Sequence, residues 1–232
     1  MFYTPSDLFD LSQTEHVSLF EGLEFPWDVL KRLSGYVRTH VKPVQQHRTV
    51  GQVYIGNDVS IGEGTVVEHG AMIVGPAIIG KNCQIRHNAY IRDNVVVGDN
   101  CVVGNACELK HTFLFNGAQV PHFNYVGDSV LGHKAHLGAG AILSNLKLSG
   151  ESIWLEMDGR CIDTGLRKFG ALIGDFAEVG CNSVLNPGSI IGRRALVYPN
   201  AAWRGILPDN MIAKNRSPQE VTVRRPRGPV EG

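Results

Sequence analysis

Arg92 and Lys110 stand eighteen residues apart in the 232-residue chain, as do Asp93 and His111, His69 and His87, and Cys83 and Cys101. A repeat of that length would superpose the members of each pair, and each pair then offers its own chemistry. Two cations at one spot repel unless they are solvated or share an anion. A phosphate between Arg92 and Lys110 is one reading, and two hydrated surface chains are the other. Asp93 and His111 read as a simple ion pair. Two histidines alone are a weak metal signal, so His69 and His87 read as a hydrated pair. Cys83 and Cys101 occupy small-residue slots and read as core thiols. His122 lies in VPHFNYVGDSVLG, where the spacing is interrupted. A histidine on irregular backbone is either a structural loop residue or a general base.

The elements that must superpose these pairs are visible in the aliphatic residues. Ile55, Ile61, Val67, Ile73, Ile79, Ile85, Ile91, Val97, Val103, Leu109 and Phe115 recur every six positions. Four places after each stands a small, thiol or β-branched residue, and three places after, a turn former such as Asp58, Gly64 or Asn82. A period of six is no helix stripe, whose period is 3.6. It fits a short strand plus a corner, three of which close a triangular coil of eighteen residues. The phase returns at Ile173, Val179, Leu185, Ile191 and Val197. The expected fold is therefore an all-β parallel β-helix of about seven coils over residues 51–207, with coils about 4.8 Å apart.

Three stretches lack the period. Residues 1–50 contain two helical patterns, SDLFDLSQ and PWDVLKRLSGYVRTH, expected to form a linker that caps the open edge of the solenoid. Residues 146–170 carry Asp158-Gly159 between two strand-like runs, a hairpin signal, expected to project from the prism and to leave Ile153, Trp154 and Leu155 in need of cover. Residues 208–232 read as an irregular tail.

Composition sets outer limits. Lys plus Arg and Asp plus Glu are 22 each, so the net charge is zero, which argues against a nucleic-acid or membrane-surface partner. No apolar run reaches the roughly 18 residues of a membrane span, and no secretory pattern opens the chain. Five cysteines without a CxxC pair suit a reducing compartment, so a cytoplasmic setting is expected.

The run VGNACELKHTFLFNGAQVPHFNYVGDSVLGHKAHLGAGAILSN resembles the acetyltransferase domain of the bifunctional N-acetylglucosamine-1-phosphate uridyltransferase / glucosamine-1-phosphate acetyltransferases. FGALIGDFAEVGCNSVLNPGSIIG is similar to their archaeal-type members, and EFPWDVLKRL resembles the linker before their solenoid. The glycine-rich signature of the nucleotidyltransferase half does not occur, so pyrophosphorylase activity is not expected. The resemblance implies a left-handed solenoid, a homotrimer with sites between neighbouring prisms, and acetyl transfer from acetyl-CoA to a hexosamine 1-phosphate without a metal. It places the catalytic base on His122 and its organising carboxylate on Glu108. Arg92 and Lys110 fall on the phosphate-binding cations, Tyr125, His136 and Asn145 on sugar-binding positions, and Ala139 and Cys181 beside the coenzyme. His136 replaces an Asn of the bacterial enzymes, Leu146 a Tyr, Cys181 a Ser, and Tyr198-Pro199-Asn200 a small Ala-Ala-Gly stretch. Two other readings remain beside it. One is a non-catalytic relative that binds a sugar phosphate or nucleotide, or assembles with a partner. The other is a zinc enzyme resembling the γ-class carbonic anhydrases, for which the spacing of His133 and His136 is wrong.

Overall fold

The computed structural model describes residues 3–215 and 221–223. Parallel strands stack in register into a left-handed β-helix of triangular section, the fold expected from the six-residue period. Its first face is a nine-stranded sheet running from Arg48–Val50 to Ile212–Ala213. The second face runs through eight strands, from Tyr54–Ile55 to Ala202–Trp203. The third runs from Val59–Ile61 to Ile206–Leu207. Large aliphatic side chains (Ile61, Val67, Ile73, Ile85, Ile91) and small ones (Ala71, Ala77, Cys83, Cys101) fill the interior in columns, almost wholly buried. Cys83 and Cys101 are core thiols, as expected.

The solenoid exceeds the expected limits at both ends. Residues 44–46 already bond to Ile61, and Arg48–Val50 pairs with Val66–Glu68, so stacking begins before residue 51. Ile212–Ala213 pairs with Leu196–Val197, so it continues past residue 207. The tail beyond Asn215 lies outside the described residues except for 221–223.

The coil interruption starts one coil earlier than the period suggested, at His111, and recurs at Asp128 inside the interrupted stretch. Leu114, and not Phe115, enters the solenoid core, and Val120 fills the next inward slot. Strands Glu108–Leu114 and Tyr125–Leu131 run straight through the second corner, where His111 (φ 49°) and Asp128 (φ 46°) make the turn. One residue is thereby saved per coil: Leu109 pairs with Val126, and Leu114 with Leu131. Phe115 is left pointing outward.

That outward ring belongs to a second core. The middle residues of the third-face strands, Val96, Phe113, Val130, Leu172 and Ile190, are buried although they point away from the solenoid interior. The N-terminal segment covers them. Helix Asp28–His40 presents Val29, Leu30, Leu33 and Val37 at helical spacing, and Phe9, Leu19, Phe20 and Trp27 pack beside them. His111 Nε2 donates to the carbonyl of Leu30 at 2.9 Å, fastening the helix to the second corner, so Asp93 and His111 are not a side-chain ion pair. Asp93 instead accepts from Asn94.

Two expectations are corrected here. The N-terminal segment seals a side face, not the open edge, because the apolar surface needing cover runs along the third face. The 146–170 hairpin folds back instead of projecting. Its strands Trp154–Met157 and Arg160–Asp163 meet at Asp158-Gly159, both with left-handed φ. Ile153, Leu155 and Met157 join the same second core with Phe169, and only Trp154 stays half exposed.

The seal should be worth a large share of the stability. Phe20 is 3% exposed and stacks edge-on to Phe113 at 5.1 Å. Phe20→Ala should therefore cost about 3–5 kcal/mol in urea denaturation. His16 packs edge-on to Phe113 and bonds Tyr36 Oη at 3.0 Å, and burial holds its imidazole below the ordinary value. The folded state thus disfavours the proton. Its contribution is complete above the unfolded value of about 6.5 and is lost as pH falls through that value toward the lower folded one. His16→Gln should flatten the fall in denaturation midpoint across that interval.

Candidate functional site

The second face and the corner that ends it gather five of the site residues implied by the resemblance: Arg92, Glu108, Lys110, Tyr125 and Asn145. Register pairs Tyr90 with Glu108 and Glu108 with Tyr125, and puts Lys110 opposite Gly127. The amide of Arg92 donates to Leu109 and so lies beside Lys110. The two cations therefore do stack on adjacent coils. Each is met by a carboxylate. Arg92 Nη1 donates to Glu108 Oε1 at 2.9 Å, and Lys110 Nζ stands 3.9 Å from Asp128 Oδ2. Glu108 raises the affinity of the Arg92 guanidinium for its proton. The pair is neither bare nor simply hydrated.

Asp128 is the residue that sequence reasoning missed. Its carboxylate also accepts from Asn145 Nδ2, and it is 6% exposed on left-handed backbone. Asn145 stands at the neck of the hairpin excursion, where its carbonyl accepts from Phe169 as the chain returns. Burial, with Glu108 and Asp128 adding to it, pushes the Tyr125 hydroxyl above its ordinary value. Gly127 leaves the space this ring needs: a Cβ there would stand 2.6 Å from Tyr125 Oη and 2.8 Å from Asn145 Nδ2. The one sequence signal for Asp128 was its place in the interrupted stretch.

The first corner holds a different column. The same backbone bond recurs from coil to coil: Asn88 to His69, Ala106 to His87, Phe123 to Asn105, Gly140 to His122, Asn182 to Ala139 and Asn200 to Cys181. His69, His87, Asn105, His122, Ala139 and Cys181 are thus one vertical series. The rings of His69 and His87 stack at 5.9 Å. Among the described residues no group of three or more His, Cys, Asp and Glu side chains converges. His122 is exposed, and its amide donates to the buried Asn124 side chain, whose Nδ2 holds the carbonyls of Gly138 and Ala141. Asn124, a second residue missed from the sequence, ties the His122 turn to the Ala139 turn. No hydrogen bond among the described residues takes up the Ala139 amide, which leaves a free donor one coil from His122. His136 and Cys181 line a groove on the first face with Glu178, Leu196, Tyr198 and Pro199.

The structure does not join Glu108 to His122. Glu108 opens the second face opposite Tyr125 and gives its bond to Arg92, while His122 stands at the first corner, three residues before Tyr125.

The fold and these two columns define a hexapeptide-repeat solenoid with a paired-charge cluster at one corner and a histidine column at the next. Residues 73–164 match the family described as the GMPPB C-terminal domain. The chain is similar to a bifunctional sugar-1-phosphate nucleotidylyltransferase/acetyltransferase of Sulfurisphaera tokodaii, 37% identical over 94 residues, which is 40% of this chain and 23% of that protein. It is also similar to the bifunctional protein GlmU of Methanococcus vannielii, 34% identical over 93 residues, 40% of this chain and 22% of the relative. The chain thus spans under a quarter of the length of these relatives. A solved UDP-N-acetylglucosamine acyltransferase of Francisella novicida aligns over 72% of this chain and 64% of its own at 15% identity, with a TM-score of 0.36. The resemblance read from the sequence is to the same group of proteins. No helix among the described residues is long and apolar enough to cross a membrane.

Asp128→Asn keeps the shape and tolerates the left-handed backbone but removes the charge facing Lys110. It should lower stability by about 1–3 kcal/mol in urea denaturation, and Gly127→Ala should displace the Tyr125 ring, read as a changed tyrosine environment in near-ultraviolet circular dichroism.

Proposed function

We propose that the protein is an acyltransferase that moves the acetyl group of acetyl-CoA to the amine of a hexosamine 1-phosphate and works as a homotrimer. The observation that carries this reading is the stacking of Arg92 and Lys110 on adjacent coils beside Tyr125 and Asn145. A sugar phosphate entering there shares the two cations with Glu108 and Asp128. Asn145 gives its amide hydrogen to Asp128, so its Oδ1 is left to accept from a sugar hydroxyl. The relatives named for nucleotidylyltransferase/acetyltransferase activity support the class of reaction.

In this reading the acceptor ammonium gives one proton to solvent, and His122 takes a second from the nitrogen as it attacks. The amine attacks the thioester carbonyl, and the Ala139 amide, which has no other partner among the described residues, stabilises the oxyanion. The carbon–sulfur bond then breaks, and the CoA thiolate leaves with the proton held by His122. The groove beside Cys181 and Tyr198 holds the coenzyme. A neighbouring prism supplies what a single chain lacks, since His122 and the cation pair lie on different corners. The second face supports that assembly by leaving Tyr54, Met72 and Tyr90 exposed at 55%, 42% and 37%.

The test is thiol release from acetyl-CoA against a panel of amino-sugar 1-phosphates. His122→Ala should lower turnover about 10²–10⁴-fold with unchanged coenzyme affinity and melting temperature. Arg92→Ala or Lys110→Ala should weaken acceptor binding by about 1.5–3 kcal/mol each, non-additively. Light scattering should return three times the 25.3 kDa chain mass. Full activity in His122→Ala would end its role as base. Absence of release with every acceptor would leave sugar-phosphate binding without catalysis, the reading that the altered residues Cys181, Tyr198 and Pro199 in the coenzyme groove favour.

A further inference from the structure

At the third corner each coil turns through one residue of left-handed φ. Asn82, Asn100 and Asn210 serve in three coils and Gly64 and Gly117 in two more, the residues that hold this conformation most easily. Three coils depart from the rule. Lys134, Phe176 and Arg194 occupy the same position with φ of 54°, 58° and 54°. Their amides bond in turn to the carbonyls of Asn116, His133 and Asp175, so they sit on successive rungs. A bulky aromatic residue is the least suited of all to that backbone. Three such departures in a row at one corner are a local conflict of the kind that function sustains.

The side chains form a ladder. Phe176 is 42% exposed, with Lys134 Nζ 5.9 Å and Arg194 Cζ 5.4 Å from its ring centroid, one from the coil on each side. The edge of the ring meets His133 at 5.3 Å. Neither Lys134 nor Arg194 has a carboxylate partner among the described residues. The two acids nearby are already engaged. Asp175 accepts from the amides of Asp10 and His133 and faces Arg193 at 3.4 Å, while Asp10 accepts from Ser12. A cavity of about 460 Å³ opens beside the ring, between Arg193, Arg194 and the N-terminal residues Asp10 and Ser12.

We propose that this ladder is a binding site for small molecules carrying a diphosphate, a class that includes nucleoside diphosphates and nucleotide sugars. The ring holds its two cations at most about 11 Å apart. A charge-assisted hydrogen bond at each end takes about 2.8 Å. The remaining gap, at most about 6 Å, is one that the outer oxygens of two linked phosphoryl groups can span. Arg194 offers a planar fork to one end and Lys134 a mobile point charge to the other. Both faces of Phe176 are occupied by the cations, so the rest of the ligand enters the cavity, whose size suits a small-molecule site. The ladder stands one corner away from Arg92 and Lys110, and it does not depend on the acetyl-transfer reading.

Calorimetric titration of the full chain with pyrophosphate, ADP and inorganic phosphate tests it. Pyrophosphate and ADP should compete for one site and bind at least tenfold more tightly than phosphate. Arg194→Ala and Lys134→Ala should each weaken pyrophosphate at least tenfold, and Arg92→Ala should leave it unchanged. Phe176→Asn, which installs the residue used by other coils and so keeps the turn, should weaken it as well. The proposal is overturned if pyrophosphate does not bind, if phosphate binds equally well, or if the ladder variants bind as the parent does. Loss of binding in Arg92→Ala alone would assign the anion to the second corner and leave the acetyl-transfer reading standing.

Discussion

In-register parallel pairing between coils governs everything else in the molecule. Each strand residue bonds to its counterpart about 4.8 Å away on the next coil, so a side chain always meets the residue one coil above and one below. Inside, that rule demands aliphatic over aliphatic and small over small, which the columns through Ile73, Ile91 and Leu109 and through Cys83 and Cys101 satisfy. It is also unforgiving. A one-residue slip would turn every inward side chain out. The shortened coils therefore lose their residue at the second corner, where His111 and Asp128 turn on left-handed φ, and register is kept on all three faces.

Outside, the same rule converts sequence spacing into electrostatics. Two cations on adjacent coils repel by about 3–4 kcal/mol at an effective dielectric near 20. At the second corner Glu108 and Asp128 offset that repulsion, each from the coil that follows the cation it faces. At the third corner neither Lys134 nor Arg194 has a carboxylate partner among the described residues, and an aromatic ring lies between them instead. The two arrangements meet one constraint by different means. A carboxylate-paired site orients its cations for a ligand that must share them with the acids, whereas a ring-spaced one leaves both cations without an acid partner among the described residues.

The solenoid and the stacking of Arg92 on Lys110 were legible because a period of six is set by geometry and survives substitution. The charge partners were not, because Glu108 and Asp128 reach their cations diagonally, at offsets of sixteen and eighteen residues, and only the coil of seventeen makes Asp128 a diagonal neighbour of Lys110. Phe115 was misread for a similar reason. It keeps the phase of the repeat, but Leu114 takes the inward slot once a residue has been lost. Asn124 gave no signal, since a buried amide that bridges two turns looks like any turn residue in a sequence.

The hidden third face has a different explanation, and its signal was present. Strands buried on both sides read as continuous apolar runs, not as alternation. The triplets Val95–Val97, Ala171–Ile173 and Ser189–Ile191 are buried throughout, whereas the second-face pairs such as Tyr90–Ile91 expose their first residue. Only a cover supplied by the chain itself makes such a surface tolerable in water. The amphipathic helix Asp28–His40 and the Ile153–Met157 strand are that cover. Because they are spent on the third face, they cannot serve at the open edge or reach out toward a neighbour. Two faces are left bare, and the second of these carries the exposed Tyr54, Met72 and Tyr90 column that leads straight into Glu108 and Tyr125. The surface free to associate and the charged cluster are thus one continuous strip.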